Sequence, residues 1–307
     1  MLQTGHAGGV TEALTRQSHM KSSVSSSLRA AGPRTSLANL RLMMAVVLLS
    51  GCAGHMNVSE KMMWSTYPLA TQKGAATGFV INRKDAREPG GVLPVVFTSV
   101  HVLDTVGRGP LIIGIRKLDE NDEAQVALLA FNPPRAQGEE RFYVRHPHHD
   151  LAAFALHLPE EVADRAKLSS FLDERMCARN GRRLRSGVEV SFLGYPEVLP
   201  GTEGAFPVLR SGRVASYPVG TSQAHGRFLI NADVYPGDSG APVFVTQGGR
   251  PQLVGMITQR ISPDARNFSH LAVAVDANVI RETMDLLVAA EKKVVPVNKA
   301  EQKKAAP

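Results

Sequence analysis

Cysteine is scarce in this 307-residue chain, which has only Cys52 and Cys177. Long hydrophobic runs are missing as well. Residues 42–49, Leu-Met-Met-Ala-Val-Val-Leu-Leu, form an uninterrupted apolar run of eight. As a helix it would span only ~12 Å, far short of a bilayer. Excess charge is absent from the body of the chain. The net charge is +7, of which residues 1–51 carry +4 and residues 291–307 carry +3. Residues 52–290 are therefore close to neutral. A neutral body lacks the electrostatic footprint of a DNA-binding domain, so nucleic acid is not expected as a partner. Its one basic cluster, Arg175, Arg179, Arg182, Arg183 and Arg185, reads as a solvated linker. No internal repeat is present.

The front of the chain reads as an address. Arg29, Arg34 and Arg41 precede the apolar run, and Ser50, Gly51 and Cys52 follow it. A basic region, a short apolar core and small residues at the end describe a secretory signal. The stretch before Arg29 is long for a leader, which makes Met20 an alternative start to Met1. If Cys52 is consumed in processing, Cys177 stands alone and no internal disulfide can form. A domain of ~200 residues can then hold by packing alone.

The most informative stretch lies far downstream. Pro236-Gly237-Asp238-Ser239-Gly240-Ala241-Pro242 separates two β-type runs, Phe228–Ile230 and Val243–Val245. It reads either as a turn or as a nucleophile whose neighbouring N–H groups hold an oxyanion. A serine nucleophile requires a base. Of ten histidines, His101 stands out because it ends the buried-strand run Val95–Val100. Asp150 opens a second apolar run, Leu151–Leu156. An aspartate entering a buried strand must be hydrogen-bonded. An imidazole N–H would suit it, and the pairing would fix the tautomer of a base.

The order His101, Asp150, Ser239 resembles that of chymotrypsin-like and bacterial trypsin-like serine peptidases. Local motifs share the resemblance over about Thr71 to Met284. Gly74–Ile81 resembles the strand before the family's histidine. Thr98-Ser99-Val100-His101 resembles its T-A-A-H, and His149-Asp150-Leu151-Ala152 its aspartate segment. Gly194-Tyr195-Pro196, Gly212–Ser216 and Leu253–Ile257 resemble later strands. Ala241 stands where many members have glycine. Leu49-Ser50-Gly51-Cys52 also resembles a bacterial lipobox, which implies lipidation of Cys52. Ala53 in place of aspartate points to the periplasmic face of an outer membrane.

The resemblance implies an all-β fold of two six-stranded antiparallel barrels, about 71–165 and 185–275, with a C-terminal helix at about 276–290. Residues 1–51 would be leader, 52–70 a tether and 293–307 a disordered basic tail. The implied activity is hydrolysis of peptide bonds in a protein or peptide substrate. Ser239 would be nucleophile, His101 base and Asp150 its orienter, with the Gly237 and Ser239 N–H groups as oxyanion hole. No cofactor is implied, and no activation site precedes Thr71. Asp233, six residues before Ser239, can lie at the base of the specificity pocket and favour Arg or Lys. It can equally brace the loop Asn231–Pro236. Thr258 and Arg260 would line the cleft, and Arg260 could pair with Asp233. His146, His148 and His149 read as a polar loop rather than a metal site. The alternative to an enzyme is a catalytically silent binding or scaffold module on the same fold.

The leader reading has a direct test. Mass spectrometry of the mature N-terminus should find a lipid-bearing peptide that begins at Cys52. An unmodified peptide running through Cys52 would overturn it.

Overall fold

The computed structural model describes residues 57–71, 74–84, 91–107, 109–118, 124–131, 142–157, 172–178, 184–197, 206–219, 226–247, 250–260 and 270–294. The leader, Cys52 and the tail beyond Val294 lie outside the described residues.

Helix α1 (Val58–Trp64) opens the fold. Asn57 caps it, its Oδ1 accepting the Glu60 N–H at 2.9 Å while Glu60 Oε2 accepts the Asn57 N–H at 2.9 Å. This reciprocal cap satisfies two otherwise orphaned donors. The first sheet then follows: β1 (Thr66–Thr71), β2 (Gly74–Lys84), β3 (Val92–Thr98), β4 (Leu111–Leu118), β5 (Ala124–Phe131), β6 (Val144–Arg145) and β7 (Ala152–Ala155). Between β3 and β4 lies a short helix, α2 (Val100–Asp104). A 3₁₀ turn at Glu174–Met176 lies on the connection to the second sheet. That sheet comprises β8 (Glu189–Gly194), β9 (Val208–Val214), β10 (Arg227–Asn231), β11 (Pro242–Gln247), β12 (Arg250–Arg260) and β13 (Leu271–Asp276). Helix α3 (Ala277–Val294) ends the fold.

The second sheet is a closed six-stranded barrel, in the order β10-β13-β12-β11-β8-β9, as expected. The first sheet forms the other half of the expected architecture. It is a seven-stranded sheet, β5-β4-β1-β2-β3-β7-β6, and among the described residues no ladder joins its outer strands. Residues 66–70, read as tether, form a strand that pairs with both β2 and β4. Tyr67 and Leu69 are buried there, but Pro68 and polar neighbours hide a strand that short. Helix α3 runs to Val294, past the expected end at 290.

Strand β2 is buried on both faces, because successive side chains point to opposite sides. Ala76 and Val80 enter the core of the first sheet, with Val96, Ile113 and Phe154. Phe79 and Ile81 enter a second core shared with Phe244 and Met256 of the barrel and Ile280 of α3. β3 and β7 divide their residues the same way: Val96 and Phe154 face one core, Phe97 and Ala153 the other. This two-sided burial explains why these strands read as continuous apolar runs. The barrel has its own core around Phe192, Phe228, Ile230 and Ile257. α3 covers the shared core with Val279, Ile280, Met284 and Leu287, at helical spacing.

Arg116 of β4 is 1% exposed and lies beneath the α1–β1 corner. Its Nη2 donates to the carbonyls of Met63 (2.8 Å), Trp64 (2.8 Å) and Thr66 (2.7 Å), and its Nη1 to Tyr195 OH (2.7 Å). The guanidinium lies 4.9 Å from the Tyr67 and Phe206 ring centroids and 5.5 Å from Trp64. These acceptors and aromatic faces help to compensate the buried charge.

Arg116→Met removes the donor from three backbone carbonyls, and each unsatisfied buried acceptor costs about 1–3 kcal/mol. Stability should fall by about 3 kcal/mol or more, with faster amide exchange confined first to Val58–Thr71. Unchanged stability would show that Arg116 is not what holds this corner.

Candidate functional site

Three local structures bring the candidate residues to one region. The first is the turn after β3. Ser99 precedes α2 in extended conformation, and buried Val100, Val102 and Leu103 hold the helix against the sheet. His101 is the residue left facing outward, its side chain 53% exposed. The second is the loop before β7. β3 and β7 are paired with Thr98 opposite Ala152. Asp150, just before that pair, therefore lies beside His101, just after it. Asp150 Oδ2 is 2.6 Å from His101 Nδ1, and Asp150 Oδ1 accepts the His101 backbone N–H at 3.1 Å. Two contacts to one residue fix both the ring and its turn.

The charges follow from this geometry. The hydrogen bond to Asp150 raises the His101 pKa above 6.5, outweighing the opposing effect of burial. Burial opposes the Asp150 charge, but the hydrogen bonds from His101 and from the Val100 backbone prevail and hold its pKa below 3.8. With Nδ1 committed to the carboxylate, Nε2 is the nitrogen available for proton transfer.

The third structure is the loop Ala232–Ala241, which lies against β2. The Thr77 N–H donates to Ser239 O at 3.0 Å, and the Gly240 N–H to Ile257 O at 2.8 Å. Gly237 and Gly240 have φ of +97° and +94°, a region that disfavours side chains. A Cβ on Gly240 would collide with Thr77 O, and one on Gly237 with Tyr195 O. Glycine is thus required twice for close approach. Among the described residues, the Gly237 and Ser239 N–H groups make no hydrogen bond.

Asp238 between them is fully buried. Its Oδ2 accepts from Arg210 Nη1 at 2.8 Å and from the Tyr235 N–H at 2.7 Å, and its Oδ1 accepts from Arg210 Nη2. Sequence reasoning missed Arg210. Its signal was position: on β9 it falls in phase with Gly212 and buried Val214, on the inward side.

Ser239 is half-buried. Its Oγ lies 3.4 Å from Thr258 O, and no hydrogen bond joins it to His101. Thr258 is 3% exposed, with its hydroxyl 3.3 Å from Val273 O, so it meets Ser239 through its carbonyl. Asp233 is exposed, and its Oδ1 is 2.5 Å from His270 Nδ1, a partner the sequence did not suggest. The Arg260 side chain lies outside the described residues. In the His146–Asp150 loop, His146 Nε2 is 3.1 Å from Glu282 Oε2 of α3, and its Nδ1 accepts the His148 N–H at 3.2 Å. Both ring nitrogens are engaged, so the loop is braced against α3. Burial and the neighbouring His146 lower the His149 pKa.

Comparison with known proteins bears on the fold and the family. Residues 76–256, well over half of the chain, match the family model described as a trypsin-like peptidase domain. Among solved structures, the chain is similar to a thermostable serine protease, AL20, from an extremophilic microorganism. The identity is 15%, covering 73% of this chain and 96% of that one, with a TM-score of 0.45. It is also similar to an inactivated protease paralogue from the scabies mite, at 15% identity over 74% of this chain and 95% of that one, TM-score 0.46. A third is the HtrA-type protease AlgW with tripeptide, at 16% identity over 72% of this chain and 59% of that one, TM-score 0.43. No curated protein sequence matches the chain.

The His101–Asp150 pair is testable by proton NMR. The raised pKa means that His101 titrates above 6.5 in the folded protein. Protonation then favours folding: the contribution is complete below 6.5 and is lost as pH rises through the folded value. Asp150→Asn should move the imidazole titration downward. An identical titration in the variant would exclude the carboxylate as its cause.

Proposed function

The chain belongs to the family of trypsin-like peptidase domains, and on that premise we propose that it is an exported serine endopeptidase acting through Ser239, His101 and Asp150. The observation that carries the proposal is the two-point contact between Asp150 and His101. It orients an imidazole whose free nitrogen can serve a nucleophile on the adjoining loop.

In this reading Ser239 Oγ first turns away from Thr258 O towards His101 Nε2. Active-site hydrogen bonds are often loose without substrate. Oγ attacks the carbonyl carbon of a peptide bond as its proton passes to Nε2. The carbonyl oxygen becomes an oxyanion held by the Gly237 and Ser239 N–H groups, the two donors left without partners. One such donor is typically worth about 10²–10³ in turnover. The C–N bond then breaks and Nε2 gives its proton to the departing amine, leaving an acyl-enzyme. Water repeats the sequence: its proton goes to Nε2, its oxygen to the acyl carbon, and Oγ leaves with the returned proton. Asp150 stays ionised throughout and stabilises the imidazolium.

Substrate choice centres on Asp233. Its carboxylate is engaged by His270, so a cationic substrate side chain would have to compete with an imidazole. Export, and anchoring through Cys52, rest on the leader and lipobox-like residues.

One observation favours the catalytically silent module: Ser239 Oγ rests near Thr258 O rather than His101. A fluorophosphonate probe separates the two readings. Protein from Cys52 onward should be labelled at Ser239, and Ser239→Ala should be unlabelled, with casein turnover reduced by on the order of 10⁶. Failure to label, or equal labelling of Ser239→Ala, would leave the silent module.

A further inference from the structure

We infer that Thr77 is a positioning residue that sets the geometry of the nucleophile loop from the opposite sheet, an inference that rests on reading Ser239 as nucleophile. Thr77 lies on β2 at odd parity with Phe79 and Ile81, on the face turned to the barrel. It is fully buried. Its hydroxyl donates to Gly237 O at 2.7 Å and accepts the Tyr195 N–H at 3.0 Å. Its backbone N–H donates to Ser239 O at 3.0 Å. Its backbone carbonyl accepts from Thr98 Oγ1 at 2.8 Å. Every polar group of Thr77 is therefore spent at the junction of the two sheets.

These bonds act on the peptide units that directly follow the two N–H groups that matter. Gly237 O and Ser239 O are the carbonyls of the residues whose N–H groups would hold the oxyanion. Anchoring a carbonyl fixes the plane of the peptide unit that follows it. Holding Gly237 O thus orients the Asp238 N–H, which donates to Tyr235 O at 3.1 Å. Holding Ser239 O orients the Gly240 N–H towards Ile257 O. The units that carry the Gly237 and Ser239 N–H groups have their own carbonyls held, Pro236 O by the Glu197 N–H at 2.9 Å and Asp238 O by the Ala241 N–H at 2.9 Å, and the Thr77 bonds fix the units that alternate with them. On the other side, Thr98 binds Thr77 three residues before His101. A single residue thereby ties the base-bearing turn to the nucleophile-bearing loop.

Serine would supply the same hydroxyl; valine would fill the space without it. In Thr77→Val, Gly237 O loses its donor and Tyr195 N–H its acceptor. A misplacement of ~1 Å at a reacting centre can cost ~10²-fold. Thr77→Val should lower kcat on a peptide ester by about 10- to 100-fold at nearly unchanged KM. Thr77→Ser should restore it. Thr98→Val removes only the brace on the Thr77 carbonyl and should give a smaller loss of the same kind. Hydrogen exchange of the peptide Pro236–Ala241 should quicken in Thr77→Val and not in Thr77→Ser. Wild-type kcat and wild-type exchange in Thr77→Val would overturn the inference, as would a loss that Thr77→Ser fails to restore. Should wild-type protein escape fluorophosphonate labelling, the nucleophile reading falls, and the exchange measurements alone still decide whether Thr77 clamps the loop.

Discussion

The loop that carries Ser239 depends on one buried charge, the carboxylate of Asp238. Taken out of water alone, it would cost several kcal/mol. Arg210 meets it with two donors, and the Tyr235 N–H adds a third. The guanidinium is itself held, 4.8 Å from the Phe192 ring centroid and 5.6 Å from that of Tyr235. Such a pair is weak evidence for stability, since a fitted apolar pair could replace it. Losing one partner is a different matter, and typically costs about 3–5 kcal/mol. The pair is better understood as fixing one loop conformation among several. Its cation comes from within β9, so the loop does not rely on a chain end for its anchor.

Ordinary strand pairing does the rest. The β3–β7 register places Asp150 beside the turn that carries His101. The core shared by both sheets and α3 presses that turn and the Ser239 loop towards a common seam. The chemistry is thus positioned by packing that serves the fold as a whole. Among the described residues the one cysteine, Cys177, is buried and free, its thiol pKa pushed up to about 12 by burial.

Much of this was legible in the sequence because it is local. The run Val95–Val100 ending at His101, the run opened by Asp150 and the glycine-flanked Ser239 each carry their own signal. What escaped is what depends on distant partners. Arg210 and His270 act through residues 28 and 37 positions away. Nothing near either one announces a carboxylate partner. The strand within residues 66–70 also escapes a reading of 52–70 as tether, because its place between β2 and β4 is set by distant partners. The strand order of the first sheet was also hidden, since it depends on which strands meet and not on what each strand is.

The loop bearing Ser239 belongs to one sheet by sequence and is hydrogen-bonded to both. A chain severed in the connection between β7 and β8 would give one fragment with the imidazole and carboxylate, and another with the hydroxyl and its empty cradle. The second fragment would keep the Arg210–Asp238 pair but lose the hold of Thr77 on Gly237 and Ser239. The proposed activity would need both halves, so the pair would behave as a complementation reporter whose signal measures their docking.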